Sequence, residues 1–523
     1  MQEGRALPEL FRDVVRDHGD AVAIREGPRE IRFHEFDAAS DRVAAWLAAR
    51  GLGPGTRVGL LAVNGAAFAL AYYGIVKAGA TVVPVNTLLT PREIAYILND
   101  AGAAGLFYHP LFAEAAAALR ADCPGVRHWA AVGDGAPLSG DPAWAEVLGA
   151  TGEPPRPAFR PREDTAAILY TSGTTGAPKG AMLSHANLAS NIRSACRALD
   201  LHGTSDRLLV VLPMFHAFAA TVGMLLPLHT GGSFVPLPRF DPQGVADAIA
   251  ASGATLLPAV PSMYALFLRL PESETGKFAS LRFCISGAAP LPLAVMEAFE
   301  ARFGKPIYEG DGPTECSPVT CVNPIGGRRK PGSVGLPVPD VEMSIRDGDG
   351  KALPDGETGE ICVRGPNVMQ SYWHRPEETA AAFFGEWFRT GDLGYRDADG
   401  YFFIVDRIKD LIIVNGMNVY PRVVEEVLYR HPAVAEVAVV GEPHPLHGEI
   451  PVAHVVLKAG QAADAQALRR HCQAHLGRHQ VPRKFFFTDA LPKNAAGKIL
   501  KRALRAHGEL ERGVDSRRPG DGG

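Results

Sequence analysis

Through roughly the first 400 residues, short apolar runs alternate with segments whose apolar residues recur at helical spacing, the pattern of a parallel sheet covered by helices. Phe36 to Ala49 sets Phe36, Val43 and Leu47 at helical spacing, stops at Gly51, and gives way to the strand-like VGLLAV at 58–63. Thr90, Pro91 and Glu93 spell a helix start. The threonine accepts from exposed amides, the proline needs no donor in the first turn, and the glutamate reaches back to complete a capping box. The runs AAILY (166–170), RLLVVL (207–212), ATLLPAV (254–260) and LRFCIS (281–286) each end in a loop containing Gly or Pro. Open α/β sheets bind ligands at such strand ends. Farther on, IIV (412–414), VAEVAVV (434–440) and VAHVVL (452–457) surround two modest helical segments, which predicts a compact α+β domain of about 100 residues. The expected fold is α/β, with a large N-terminal domain of helix-covered, mostly parallel sheets over 1–408. A small mobile α+β C-terminal domain over 409–506 follows, then a polar, aperiodic, disordered tail over 507–523.

Charge and cysteine usage narrow the class. With 53 Lys and Arg against 57 Asp and Glu, the net charge of −4 provides no field that would attract nucleic acid or an anionic membrane. The 7 cysteines are odd in number, scattered and never in a C-x-x-C pair, which fits a reducing cytoplasm. The start MQEGRALPELFRD lacks the basic and apolar regions of a secretion signal. Asn64 and Lys77 interrupt the most hydrophobic stretch, Val58 to Val85, so no transmembrane segment is expected.

The segment richest in chemistry is YTSGTTGAPKG, Tyr170 to Gly180. It follows an apolar run and gathers small residues, hydroxyls and Lys179 into one loop, where backbone amides can approach an anion. It is not a Walker A loop, because G-x-x-x-x-G-K-[ST] does not occur in it. Six further segments follow in order: PMFHAF (213–218), SGAAPLP (286–292), GDGPTE (310–315), FRTGD (388–392), DRIKDLIIVNGMNVYP (406–421) and PKNAAGK (492–498).

Together these segments resemble the AMP-forming adenylating enzymes, which include acyl-CoA synthetases, luciferases and peptide-synthetase adenylation domains. The likeness runs from near the amino terminus to about residue 506. It implies a large ATP- and acyl-binding domain, a C-terminal lid that carries a catalytic lysine, and the use of ATP, Mg²⁺ and CoA to convert a carboxylic acid to its CoA thioester through an acyl adenylate. In such chemistry a carboxylate attacks the α-phosphorus and pyrophosphate leaves, so catalysis is mostly positioning and charge stabilisation.

On this resemblance Thr171, Ser172, Gly173, Thr174, Thr175, Gly176 and Lys179 cradle the β- and γ-phosphates. Gly287, Ala288 and Ala289, with Asp311 and Gly312, border the nucleotide. Glu315 is the Mg²⁺ ligand and Thr314 a phosphate contact. Asp392 accepts from the ribose hydroxyls and Arg407 binds the nucleotide. Lys498 bridges the acid carboxylate and the α-phosphate. His216 orients the acid or closes the acyl channel. Lys409 is the hinge about which the small domain turns, carrying Lys498 away and bringing the NGMN segment with Gly416 toward the pantetheine arm.

The chain departs from the family pattern where an aromatic usually stacks on adenine. Asp311 stands there, an acid that repels phosphate and has no π face but can accept from the adenine amino group. Val423 and Ser371 are smaller departures, read as lying outside the chemistry. His444, His447 and Glu449 have near-ligand spacing for Zn²⁺, yet the prolines around them make this segment a turn. Segments such as VGMLLPL (222–228) resemble fatty-acyl members, so a medium- or long-chain fatty acid is the expected substrate and an acid–thiol ligase the expected enzyme. The alternative acceptor is a carrier-protein thiol. A homodimer is compatible with the chain.

Overall fold

The computed structural model describes residues 4–171, 178–493 and 499–505. Two large sheets form the body of the chain. In the first, the strands Ile307–Asp311, Phe283–Ser286, Leu256–Ala259, Arg207–Val210, Ser233–Pro236 and Val22–Glu26 are neighbours and run parallel, with antiparallel strands at both edges. In the second, Thr165–Thr171, Thr81–Pro84, Arg57–Leu61, Gly105–Tyr108 and His128–Ala131 run parallel, and Lys179–Ser184 and Ser371–Tyr372 add an antiparallel flank. Strands such as Thr81–Pro84, Gly105–Tyr108 and Phe283–Ser286 are buried along their whole length, as parallel strands covered on both faces must be.

The helix start foreseen at Thr90 is present. Thr90 Oγ1 accepts from Glu93 N, Glu93 Oε2 accepts from Thr90 N, and Gly102 ends the helix Pro91–Ala101 in the left-handed conformation. The helix Phe33–Ala48 and the strand Arg57–Leu61 also fall where the pattern set them.

The alternation of strand and helix ends earlier than expected. From Glu342 to Arg407 the chain makes a five-stranded antiparallel sheet, with Pro376–Ala381 as its one α-helix. Burial alternates along Glu342–Arg346, the mark of an antiparallel strand with one face on the core. From Ile412 onward a separate five-stranded sheet forms, with Lys484–Phe487 parallel to Gly448–Leu457 and the other pairings antiparallel. Helices Pro421–Tyr429 and Ala465–His475 cover one face with Val424, Leu428, Leu468 and Cys472. Leu491 and Leu504 pack on the other. All 7 cysteines are free thiols. Among the described residues no helix is long and apolar enough to cross a membrane.

Candidate active site

Three segments distant in sequence meet at Glu315. The strands Thr165–Thr171 and Lys179–Ser184 form a hairpin in which Thr171 pairs with Lys179, so both ends of the Gly-rich loop leave from one place. Ser172, Gly173, Thr174, Thr175 and Gly176 lie outside the described residues. Glu315 sits in the short turn Thr314–Cys316 and is half-buried. Its Oε1 accepts from Tyr372 Oη at 2.8 Å and, at the long limit of 3.5 Å, from Thr171 Oγ1. The Lys179 ammonium lies 5.2 Å from the centroid of the Tyr372 ring, within cation–π range. Gly312 packs against backbone just ahead of Glu315: a Cβ there would lie 1.8 Å from Pro318 O. That glycine is a steric requirement of the turn, beyond the flexibility usually credited to glycine.

A second group forms on the antiparallel sheet. Asp392 and Arg407 are register partners on adjacent strands, with Arg407 Nε 2.6 Å from Asp392 Oδ1 and Nη2 donating to Oδ2 at 3.3 Å. Asp392 is only 4% exposed, so this fork carries most of the compensation for its charge. The Asp392 carboxylate raises the Arg407 pKa above its ordinary value; burial opposes it and Asp311 adds to it. Asp311, at the end of Ile307–Asp311, therefore lies within the field of Arg407. The repulsion of phosphate expected from this acid is opposed by that guanidinium.

A third group collects at the carboxyl ends of the parallel strands. His216 ends a tight turn after Pro213, half-buried, with Nδ1 accepting from Phe218 N at 3.4 Å. Phe218 leads into Ala219–Leu225, a π-helical segment whose residues are all buried. A Cβ on Gly287 would lie 3.4 Å from Gly310 O and 3.5 Å from the Phe218 ring. Ala288, at φ +65°, takes a left-handed conformation that costs a non-glycine residue about 1–2 kcal/mol, and Ala289 follows it. Next to this loop, Glu309 Oε1 accepts from Leu291 N at 3.0 Å. Glu309 is 4% exposed, and burial pushes its carboxyl up to about 7 against the pull of Arg422.

The AMP-binding enzyme family matches residues 11–373, and the AMP-binding enzyme C-terminal domain matches residues 423–498. The chain belongs to the AMP-binding enzyme family. It is 35% identical to the long-chain-fatty-acid–CoA ligase of Bacillus subtilis (strain 168), over 96% of this chain and 94% of that protein. Against the sulfoacetate–CoA ligase of Cupriavidus necator identity is 39%, over 88% of this chain and 89% of that protein. The crystal structure of the anthranilate CoA ligase AuaEII with anthranoyl-AMP superposes with a TM-score of 0.91 at 30% identity, covering 98% of this chain and 99% of that one. The protein is an AMP-forming acyl-CoA synthetase that uses ATP, CoA and Mg²⁺.

The donor set fits the cation that this family requires. Mg²⁺ prefers oxygen, and it is usually held by one or two carboxylates together with substrate phosphates and water. Glu315, beside the hydroxyl of Thr314, offers such a hard donor. No group of three or more metal-ligating side chains occurs among the described residues.

A group of polar contacts surrounds Lys409. Arg422 N donates to Asp406 Oδ2 at 2.9 Å and Arg422 Nη1 to Ile404 O at 2.5 Å. Lys501 Nζ lies 2.8 Å from Glu425 Oε1, and Arg505 Nη2 lies 3.0 Å from Asp410 Oδ1 and donates at 3.5 Å to Lys409 O. Lys498 lies outside the described residues. Gly416 occupies the tip of a hairpin at φ +78°, after Asn415 at φ +51°, and Asn415 through Asn418 face solvent. A Cβ at Gly416 would meet open space, so in this arrangement the backbone angle, and not a close approach, calls for glycine. His444 and His447 form the turn foreseen for them, with His447 Nδ1 2.9 Å from Asn415 Oδ1.

Sequence reasoning passed over Tyr372. Ser371 stands in a segment with no chemical signature of its own, yet the next side chain reaches Glu315. The period-two burial that would mark a strand is invisible in a two-residue edge strand.

Proposed function

We propose that the enzyme activates a medium- or long-chain fatty acid in the cytoplasm. The observation that carries this reading is the wholly buried apolar segment Ala219–Leu225, which starts three residues after His216 and is followed by Leu226–Thr230, also largely buried. An apolar segment close in sequence to a carboxylate-orienting histidine suits an alkyl chain. The identity to the fatty-acid ligase of Bacillus subtilis supports it, while the sulfoacetate and anthranilate relatives make the acid class the point to test.

In this reading the hydroxyls and amides of 171–176 and Lys179 hold the departing phosphates, and Glu315 holds Mg²⁺, which supplies charge neutralisation on the phosphates when bound. Asp392 and Arg407 fix the ribose and nucleotide. Gly287 to Ala289, with Asp311 and Gly312, form the wall against which the base lies. His216 turns the acid carboxylate toward the α-phosphorus, and Lys498 neutralises the charge that builds between them. The chain then divides at Lys409 into bodies of 1–408 and 409–506. Rotation of the smaller one withdraws Lys498 and carries the Gly416 hairpin, solvent-facing in the present arrangement, to the thiol entrance.

The test is release of pyrophosphate and AMP across straight-chain and aryl acids, each with and without CoA, with Lys498→Ala as control. Sustained, CoA-dependent turnover that peaks on acids of medium or long chain is the expected result. A peak on aryl or short acids overturns the substrate assignment. A single turnover that CoA does not accelerate points to a carrier-protein thiol as acceptor.

A further inference from the structure

The phenol that reaches Glu315 belongs to a segment with little structure of its own. Ser371 and Tyr372 pair with Met182 and Ala181 at the edge of the seven-stranded sheet, Gln370 N donates to Met182 O at 3.0 Å, and Trp373 N donates to Gly180 O at 2.8 Å. A two-residue edge strand is too short to fix a side chain by backbone pairing alone. The additional hold comes from the helix Pro91–Ala101. Trp373 Nε1 donates to Asp100 O at 2.9 Å, and Arg375 Nη2 donates to Asp100 Oδ1 at 2.9 Å and to Tyr96 Oη at 3.2 Å.

The same helix grips both arms of the hairpin. Tyr170 Oη donates to Asp100 Oδ2 at 2.6 Å, and Tyr96 Oη donates to Pro178 O at 3.2 Å. Asp100 thus divides its two carboxylate oxygens between the strand that leads to Thr171 and the segment that carries Tyr372. Among the described residues, both side-chain donors that reach Glu315, from Tyr372 and Thr171, go to Oε1. The 2.8 Å phenol bond is the shorter, and a charge-assisted bond of that length restrains rotation of the carboxylate.

We propose that Tyr372 is a positioning residue for Glu315, held in place by the Asp100 hub, and that it fixes the carboxylate by Oε1 so that Oε2 stays available to the cation that accompanies ATP. The inference rests on the reading of Glu315 as the cation ligand. Removing a partner that orients a metal ligand typically weakens metal affinity by about 10–100-fold.

The experiment measures Mn²⁺ binding by electron paramagnetic resonance with ATP present and no acid, using the full chain. Tyr372→Phe, which keeps the ring beneath Lys179, is expected to weaken Mn²⁺ binding by about 10–100-fold. ATP binding without a divalent cation should change by less than about twofold, since no phosphate contact is assigned to the phenol. Asp100→Asn is expected to give a smaller loss of the same kind, and Tyr372→Phe added to Glu315→Gln no further loss, because the two act through one carboxylate. Thermal unfolding of each variant shows that the fold is kept. Wild-type Mn²⁺ affinity in Tyr372→Phe, or an equal loss of metal-free ATP binding, overturns the proposal. Unchanged Mn²⁺ binding in Glu315→Gln overturns the underlying ligand assignment as well, so the two failures are told apart.

Discussion

Gly312→Ala tests whether the turn before Glu315 is set by steric fit. The added methyl would lie 1.8 Å from Pro318 O, 2.6 Å from Pro318 C and 3.1 Å from Val319 Cα, so it meets backbone that no rotamer change can move aside. Real Cβ atoms essentially never come within 3.0 Å of such atoms, so the two strands of the turn must part by more than an ångström. Overpacking of this kind typically costs about 1–3 kcal/mol of stability. Catalysis should suffer more than folding. Glu315 is three residues along the same turn, and misplacing a catalytic group by about 1 Å can cost on the order of 10²-fold in rate. Acid-dependent exchange of labelled pyrophosphate into ATP reads the adenylation step alone, and calorimetry reads the stability. A variant that exchanges at the wild-type rate would refute the claim that this contact sets Glu315. A variant that unfolds at room temperature would show the strain spread through the sheet instead of concentrated in the turn.

Glu309, with its carboxyl pushed up to about 7 by burial, gives a pH prediction. Its proton is held in the folded chain at pH values where the unfolded chain has released it. Stability is therefore greatest at the acid end and falls as pH rises from about 4.5 to about 7, by on the order of 2–3 kcal/mol from this group. Glu309→Gln, which can still accept from Leu291 N, should flatten that slope in urea unfolding measured from pH 5 to 8; an unchanged slope contradicts the assignment. Asp392→Asn leaves Arg407 half-compensated, with an expected cost of about 1–2 kcal/mol given the partial exposure of the guanidinium, and it should raise the KM for ATP. An unaltered KM would remove Asp392 from the nucleotide site. Lys498→Ala should lose adenylation by on the order of 10²-fold or more yet still convert supplied acyl adenylate to thioester, while Gly416→Val should do the reverse. Equal loss of both half-reactions in both variants would defeat the alternation of the small domain.

What could be read from the sequence follows from the range of each interaction. The Thr90 capping box involves partners three residues apart, so one short string specifies it and the structure reproduces it. The parallel strands were likewise legible, because full burial on both faces forces an unbroken apolar run between turn residues. The antiparallel sheet from Glu342 was not: along Glu342–Arg346 apolar and polar positions alternate over only five residues, Phe383–Phe384 is two residues long, and such runs merge with the surrounding loops. The site divides along the same line. Thr171, Lys179, Glu315, Asp392 and Arg407 stand inside strings long enough to carry a resemblance, and the described ones gather into two groups.

The partners of those residues come from far away in the chain, and no local string announces them. Tyr372 reaches Glu315 across 57 positions, Arg375 reaches Asp100 across 275, and Tyr96 reaches Pro178 across 82. Each is a neutral or structural residue in its own segment and becomes functional only when the sheet is assembled. Asp311 is the converse case. Read alone it is an acid where an aromatic belongs, a defect in the nucleotide site. In the folded chain it shares the field of Arg407, which is itself forked onto Asp392, so one guanidinium interacts electrostatically with both carboxylates. Within this trio alone the charges sum to one negative unit, where Asp392 and Arg407 with an aromatic in place of Asp311 would be neutral. Asp311 should therefore weaken nucleotide binding less than an isolated acid would, and Asp311→Asn should tighten ATP binding more at low salt than at high salt, as screening removes what remains of the repulsion. Equal salt dependence of ATP affinity in both forms would show that Arg407 cancels the acid completely.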